Sequence, residues 1–311
     1  MVPHRSRRFS SARQRPLPLA PGMTVALVAP AGSFPSARME RIRLLFEKEG
    51  YRVAIGAHVA GRDRYLAGSD GARAADLLWA LTDPSVDAVF AIRGGYGSSR
   101  LLPRLPFGSL QRRPKILCGY SDITFLHAAL DALAGWITFH GPNAIEFAED
   151  AVVFEETLAY LSGSRPFEWP LSDDHVLQEG RASGRVAGGN LTCLSHLMGT
   201  PYAPLLDGAL LLLEDKAEAP YRIDRMVMHL KAAGVFHKIA GVIGGTFTDC
   251  GDPDEIRMLL REYTAPRSIP VVLGLPFGHG AANHVLPLGA PFVLDTSRGI
   301  LTCTEAPWAR G

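Results

Sequence analysis

Apolar residues in the first half of the chain fall into short unbroken runs, separated by stretches with helical spacing. Thr24-Val25-Ala26-Leu27-Val28-Ala29 is continuous and ends at Pro30-Ala31-Gly32-Ser33. That is the pattern of a strand buried on both faces whose carboxyl end opens into a loop. Over residues 36–49, Met39, Ile42, Leu44, Leu45 and Phe46 mark a helix, and Gly50 supplies a stop. Arg52-Val53-Ala54-Ile55 predicts a second strand, and Ala72 to Leu81 a helix with Leu77, Leu78 and Leu81 on one face. Val86 to Ile92 predicts a third strand, running into Arg93-Gly94-Gly95-Tyr96-Gly97. Lys115 to Cys118 predicts a fourth, followed by a tight Gly119-Tyr120-Ser121-Asp122 turn and an amphipathic helix. Strands alternating with helices at about thirty-residue spacing imply a parallel sheet with right-handed crossovers.

The pattern weakens over residues 146–185, where charge and turn residues concentrate, and then restarts. Ala209 to Leu213 predicts a buried strand ending in Glu214-Asp215. Residues 221–234 predict a helix with Ile223, Met226, Val227 and Leu230 on its buried stripe. Ile239 to Gly245 and Pro270 to Leu275 predict further strands, the last leading into Pro276-Phe277-Gly278-His279-Gly280. The fold class expected is α/β: an N-terminal open parallel-sheet domain with flanking helices, then a smaller C-terminal α/β domain rich in strands. The organisation expected is a disordered basic extension over 1–15, an N-terminal domain over 16–150, an interdomain connection over 151–185 and a C-terminal domain over 186–311.

Composition narrows the function classes. Of 311 residues, 47% are apolar and 20% charged, with a net charge of +1, which offers no bulk attraction to nucleic acid or an acidic membrane. No apolar stretch reaches transmembrane length. Positive charge concentrates in Arg5, Arg7, Arg8, Arg13 and Arg15, with no apolar segment after it of the kind a signal peptide requires. Cys118, Cys193, Cys250 and Cys303 are widely spaced, and the histidines show no zinc-ligand spacing. The reading is free thiols in a reducing compartment, no metal and no cofactor.

Chemistry gathers at strand ends, where open parallel sheets place their sites. A serine on a sharp strand-to-helix turn has the placement of a nucleophile elbow, although Gly119-Tyr120-Ser121-Asp122-Ile123 lacks the second glycine of G-x-S-x-G. Capping the helix is the commoner role for Ser121 or Asp122. A nucleophilic serine needs a base and an orienting acid. His279, between two glycines past a strand end, is the candidate base, with His284 its competitor. Glu214, closing an apolar run, is the candidate acid, with Asp215 and Glu218 its rivals. The Arg93 to Gly97 turn lacks a Walker lysine and the G-x-G-x-x-G pattern, so nucleotide binding has no support. His140 ends an apolar stretch and is a candidate to line the cleft.

Seven motifs in order resemble the LD-carboxypeptidases, also called muramoyltetrapeptide carboxypeptidases. They are Ala91 to Gly97, Gly119 to Thr124, Phe139 to Pro142, Gly188 to Leu191, Leu213 to Asp215, Pro220 to Arg225 and Phe277 to Gly280. The resemblance runs from about Pro16 to about Asp295. It implies a serine peptidase with a Ser121, Glu214, His279 triad, the site lying between the two domains. It implies oxyanion donors at the Asp122 and Gly95 backbone N–H groups. The implied activity is removal of the terminal D-alanine from the L,D bond of murein tetrapeptides, by a cytoplasmic homodimer in cell-wall recycling. The implied partner is a muropeptide substrate. Arg93 and Arg100 are candidates for the free carboxylate such a substrate carries, because guanidinium matches carboxylate bidentately. Tyr96, His140 and Asn190 complete the candidate substrate-binding set. His284 stands where a small polar residue is expected. The competing readings are a peptidase that inactivates a peptidyl-nucleotide antibiotic of the microcin C type, an α/β-hydrolase, and a non-catalytic muropeptide sensor.

Overall fold

The computed structural model describes residues 13–110 and 113–309. In chain order the first half forms β1 (Thr24–Val28), α1 (Met39–Lys48), β2 (Arg52–Ile55), α2 (Asp70–Thr82), β3 (Ala88–Ala91), a short α3 (Phe107–Leu110), β4 (Ile116–Gly119), α4 (Thr124–Ala134) and β5 (Thr138–His140). Two helices follow, α5 (Ala144–Phe147) and α6 (Ala151–Leu161). The second half forms β6 (Glu168–Pro170), β7 (Val176–Gln178), β8 (Arg181–Asn190), α7 (Leu191–Leu197), β9 (Leu210–Lys216), α8 (Pro220–Ala232), α9 (Val235–Lys238), β10 (Gly241–Thr248), α10 (Pro253–Thr264), β11 (Val271–Val272), β12 (Leu286–Leu288), β13 (Pro291–Asp295) and β14 (Ile300–Cys303).

The first sheet has the order β12-β5-β4-β3-β1-β2 and is parallel except at the β12 edge. Its inner strands β1, β3 and β4 are buried on both faces, and their side chains alternate between the two. Val25 and Leu27 join one hydrophobic cluster, Ala26 and Val28 the other. Strand order reverses between β1 and β3. Crossovers leave that point towards opposite faces, which opens a crevice beyond the carboxyl ends of the two strands. The loops there touch: Gly32 N–H donates to Gly94 O at 3.0 Å, and a Cβ on Gly32 would stand 2.9 Å from that oxygen.

The second sheet runs β6-β14-β13-β8-β9-β10-β11-β7, with β8 to β11 parallel at its centre. Leu211 and Leu213 of β9 pack on the α7 and α8 side, while Leu210 and Leu212 enter the cluster shared with the first sheet. Three features differ from the sequence expectation. Residues 151–185, read as a connection, carry α6 and the edge strands β6 and β7. β12 leaves the C-terminal half to close the first sheet, pairing Leu286 with His140. Of the extension read over 1–15, residues 1–12 lie outside the described residues. Arg13 pairs with Asp131 at 2.7 Å, Gln14 bridges Trp136, and Arg15 pairs with Glu305 at 2.5 Å. Among the described residues no helix is long and apolar enough to cross a membrane.

Candidate active site

β4 ends at Gly119, whose φ of +158° leaves no room for a side chain: a Cβ would stand 3.0 Å from both Ala91 Cβ and Asn143 Oδ1. Two residues on, Ser121 takes φ +63° and begins a tight helical turn over Ser121–Ile123 that continues into α4. The left-handed region costs a serine about 1–3 kcal/mol, so the surroundings must hold it there. His127, one helical turn into α4, reaches back so that its Nε2 donates to Gly119 O at 2.8 Å. Burial lowers the His127 pKa to about 4, and the ring is therefore a neutral donor. From the other side, Asn143 Oδ1 accepts the Tyr120 N–H at 3.4 Å.

The Arg93 to Gly97 turn closes over this serine. A Cβ on Gly94 would stand 2.9 Å from Ser121 Cβ and 3.1 Å from its Oγ. The backbone N–H groups of Gly95 and Asp122 find no acceptor among the described residues and both belong to residues lining the cleft. Free donors at the start of a helix suit a developing negative charge. The Asp122 side chain is turned away and buried, with Ser98 N–H on its Oδ2 at 2.7 Å.

Alternation along β9 separates the two acids at its end. Asp215 faces α7, where it accepts from Asn190 Nδ2 at 3.0 Å, Thr192 N–H at 2.9 Å and Thr192 Oγ1 at 2.8 Å. Glu214 faces the other way, fully buried, with Oε2 at 2.6 Å from His279 Nδ1. Gly278 has no space for a Cβ because Glu214 Oε2 occupies it. Burial raises the Glu214 pKa, and the hydrogen bond and charge of His279 oppose that rise. Glu214 Oε1 has no partner among the described residues.

Ser121 and His279 line one cleft of about 240 Å³ with Gly95, Tyr96, Asn190 and Lys216. The Tyr120 ring packs against His279 with centroids 4.7 Å apart. Behind it, burial pushes the Glu146 carboxyl up to about 7. Asn190 caps α7, its Oδ1 accepting the Cys193 N–H at 3.1 Å, and ties α7 to Asp215. Other sequence candidates are not among the residues lining this cleft. Arg93 donates to Ser33 O at 2.7 Å, and Arg100 grips Asp70 at 2.8 Å. His140 is fully buried, with neither ring nitrogen partnered. His284 lies away from the cleft against Trp169. Lys216 was not singled out from sequence. It is the one lysine or arginine lining the cleft, with no ion pair among the described residues. Its signal was a cation two residues past Glu214 at the same strand end. Among the described residues no cluster of three or more histidine, cysteine or carboxylate side chains is placed to hold a metal. A hydroxyl, an imidazole and a buried carboxylate with two free N–H donors nearby are the parts acyl transfer uses.

Comparison with known proteins agrees across most of the chain. The model of the LD-carboxypeptidase N-terminal domain matches residues 25–141, and that of the LD-carboxypeptidase C-terminal domain matches residues 183–294. A murein tetrapeptide carboxypeptidase of Pseudomonas aeruginosa is 34% identical over 290 residues, covering 88% of this chain and 94% of its own. The crystal structure of a muramoyltetrapeptide carboxypeptidase from Oxalobacter formigenes aligns with TM-score 0.81 at 31% identity, over 92% of this chain and all of the other. MccF, in complex with glutamyl sulfamoyl guanosine, aligns with TM-score 0.85 at 25% identity, over 95% of this chain and 99% of the other.

Proposed function

The chain belongs to the LD-carboxypeptidase family, and from that premise we propose that it is a serine-type L,D-carboxypeptidase acting on murein tetrapeptides. The single observation that carries the serine mechanism is the 2.6 Å contact between His279 Nδ1 and the buried Glu214 carboxylate, in the cleft that Ser121 lines. Nδ1 donates its proton to Glu214, so Nε2 keeps its lone pair and can accept the Ser121 proton. Ser121 then attacks the carbonyl before the terminal D-residue. The Gly95 and Asp122 N–H groups hold the oxyanion, each worth about 3 kcal/mol in comparable sites. His279 protonates the leaving amine, and water resolves the acyl-enzyme. Lys216, which makes no ion pair among the described residues, receives the free carboxylate of the leaving residue.

The likeness to MccF favours one second reading, hydrolysis of an aminoacyl sulfamoyl nucleoside or a peptidyl nucleotide. One experiment separates them. The protein and its Ser121→Ala variant are incubated with L-Ala-γ-D-Glu-meso-diaminopimelyl-D-Ala, with the same peptide amidated at its carboxyl end, and with glutamyl sulfamoyl adenosine, each followed by mass spectrometry. Loss of one alanine from the free-acid peptide by wild type alone, with the amide spared, is expected. Cleavage by Ser121→Ala at the wild-type rate would sink the serine mechanism. Turnover of the nucleoside and not the peptide would move the substrate to the second reading.

A further inference from the structure

The loop over residues 276–284 carries His279, and it is closed at its base: His284 N–H donates to Pro276 O at 2.7 Å and Gly278 N–H to Asn283 Oδ1 at 2.9 Å. One flank rests on β10, where Thr246 N–H donates to Phe277 O and Thr248 Oγ1 to His279 O, each at 3.0 Å. The other flank rests on Trp169 of β6. Its ring meets Phe277 edge-on with centroids 4.9 Å apart, and its indole N–H donates to His284 Nδ1 at 3.0 Å. An indole N–H only donates, so His284 Nδ1 holds a lone pair and the ring proton sits on Nε2. Nε2 faces Glu156 of α6 at 3.8 Å, and Glu156 is paired with Arg165 at 2.7 Å. Tyr160 closes the recess, its hydroxyl 3.4 Å from His284 Nδ1.

We propose that Trp169 and His284 form a clamp that sets the position of His279, with both acting as positioning residues through the loop and neither touching substrate. Gly278 and Gly280 flank His279, so the loop's own backbone does little to fix the imidazole. Proton transfer needs that imidazole held within about 0.5 Å while Nδ1 stays on Glu214. β10 fixes Phe277 and the His279 carbonyl, and the clamp fixes the returning end of the loop. Trp169 thereby links the C-terminal sheet edge to the reacting group, and His284 has a purpose that a small polar side chain could not serve.

The inference rests on His279 acting as the base, and the test separates the two. Phosphonylation of Ser121 by a fluorophosphonate, read by intact mass, reports the Ser121–His279 pair whatever the natural substrate. Tetrapeptide turnover adds kcat and KM. Trp169→Phe keeps an aromatic ring near Phe277 and removes the donor together with part of the ring volume packed on Tyr160 and Phe292. It is expected to lower kcat and the phosphonylation rate at least about tenfold with KM within about threefold. His284→Ala is expected to match it, His284→Gln to recover most of the loss through its amide oxygen, and the double variant to be no worse than either single change. Phosphonylation and kcat within about twofold of wild type in both Trp169→Phe and His284→Ala would overturn the clamp while leaving the serine reading intact. If His284→Ala does not fold, Trp169→Phe decides. A wild-type protein that reacts with neither reagent removes the serine reading and the clamp together.

Discussion

The Glu214 carboxylate and the His279 imidazole meet at 2.6 Å across 65 residues of sequence, at a point where none of the carboxylate is exposed. A buried ionised carboxylate is costly unless paired, and here the partner is a ring that lines the cleft. Replacing Glu214 with glutamine keeps shape and burial but lets the amide NH₂ donate to Nδ1, which favours the wrong tautomer. Glu214→Gln is expected to lower kcat by about 10²–10⁴ with little change in KM, measured by steady-state hydrolysis of the tetrapeptide. A kcat within about tenfold of wild type would mean that the pair is structural.

Gly94 gives a test of how closely the turn after β3 approaches the serine. Its φ is not among the positive values, so alanine fits the backbone. The added methyl would nevertheless stand 2.9 Å from Ser121 Cβ. Gly94→Ala is expected to cost about 100-fold in kcat through displaced reacting atoms, with a melting midpoint within a few degrees of wild type. Full activity would show that the turn yields freely and that Ser121 is not confined by it.

The parts of this site that were legible in the sequence are those set by local rules. The strand, turn and helix around Ser121 follow from an apolar run, a glycine and a restored helical period, all within twenty residues. Strand ends are legible too, which is why Ser121, Glu214 and His279 stood out before their placement was known. Long-range pairing was not. β12 is three residues long and joins β5 across nearly 150 residues, so no periodicity marks it. Side-chain direction at a strand end was equally hidden. Arg93 precedes the glycine turn as a substrate-binding arginine would, and its exposed side chain donates one hydrogen bond to Ser33 O. His140 follows an apolar run, but the pleat turns it inward. Residues 151–185 looked like a connection because a half-exposed helix and two short edge strands carry much charge.

Lys115 offers a stability test remote from the cleft. It precedes β4, is buried, and its ammonium donates to two carbonyls at the end of α2, Ala80 O at 2.8 Å and Asp83 O at 2.5 Å. Burial lowers its pKa from 10.5 to about 8. Below pH 8 the group is charged in the folded and the unfolded chain alike, and the cost of burying that charge is fully present. Between about pH 8 and 10.5 the folded chain releases the proton while the unfolded chain keeps it, so this group's contribution to stability climbs with pH. Above that window the contribution is level. Relative to Lys115→Met, the wild-type unfolding free energy is therefore expected to rise by roughly 2–3 kcal/mol across the window, at about 1.4 kcal/mol per unit. Urea unfolding of both proteins at half-unit pH steps measures it, and subtracting the variant removes the tyrosines and cysteines that titrate in the same range. A difference that stays flat from pH 8 upward would mean that Lys115 keeps its ordinary pKa, and one that falls would mean that the carbonyls at the end of α2 raise it.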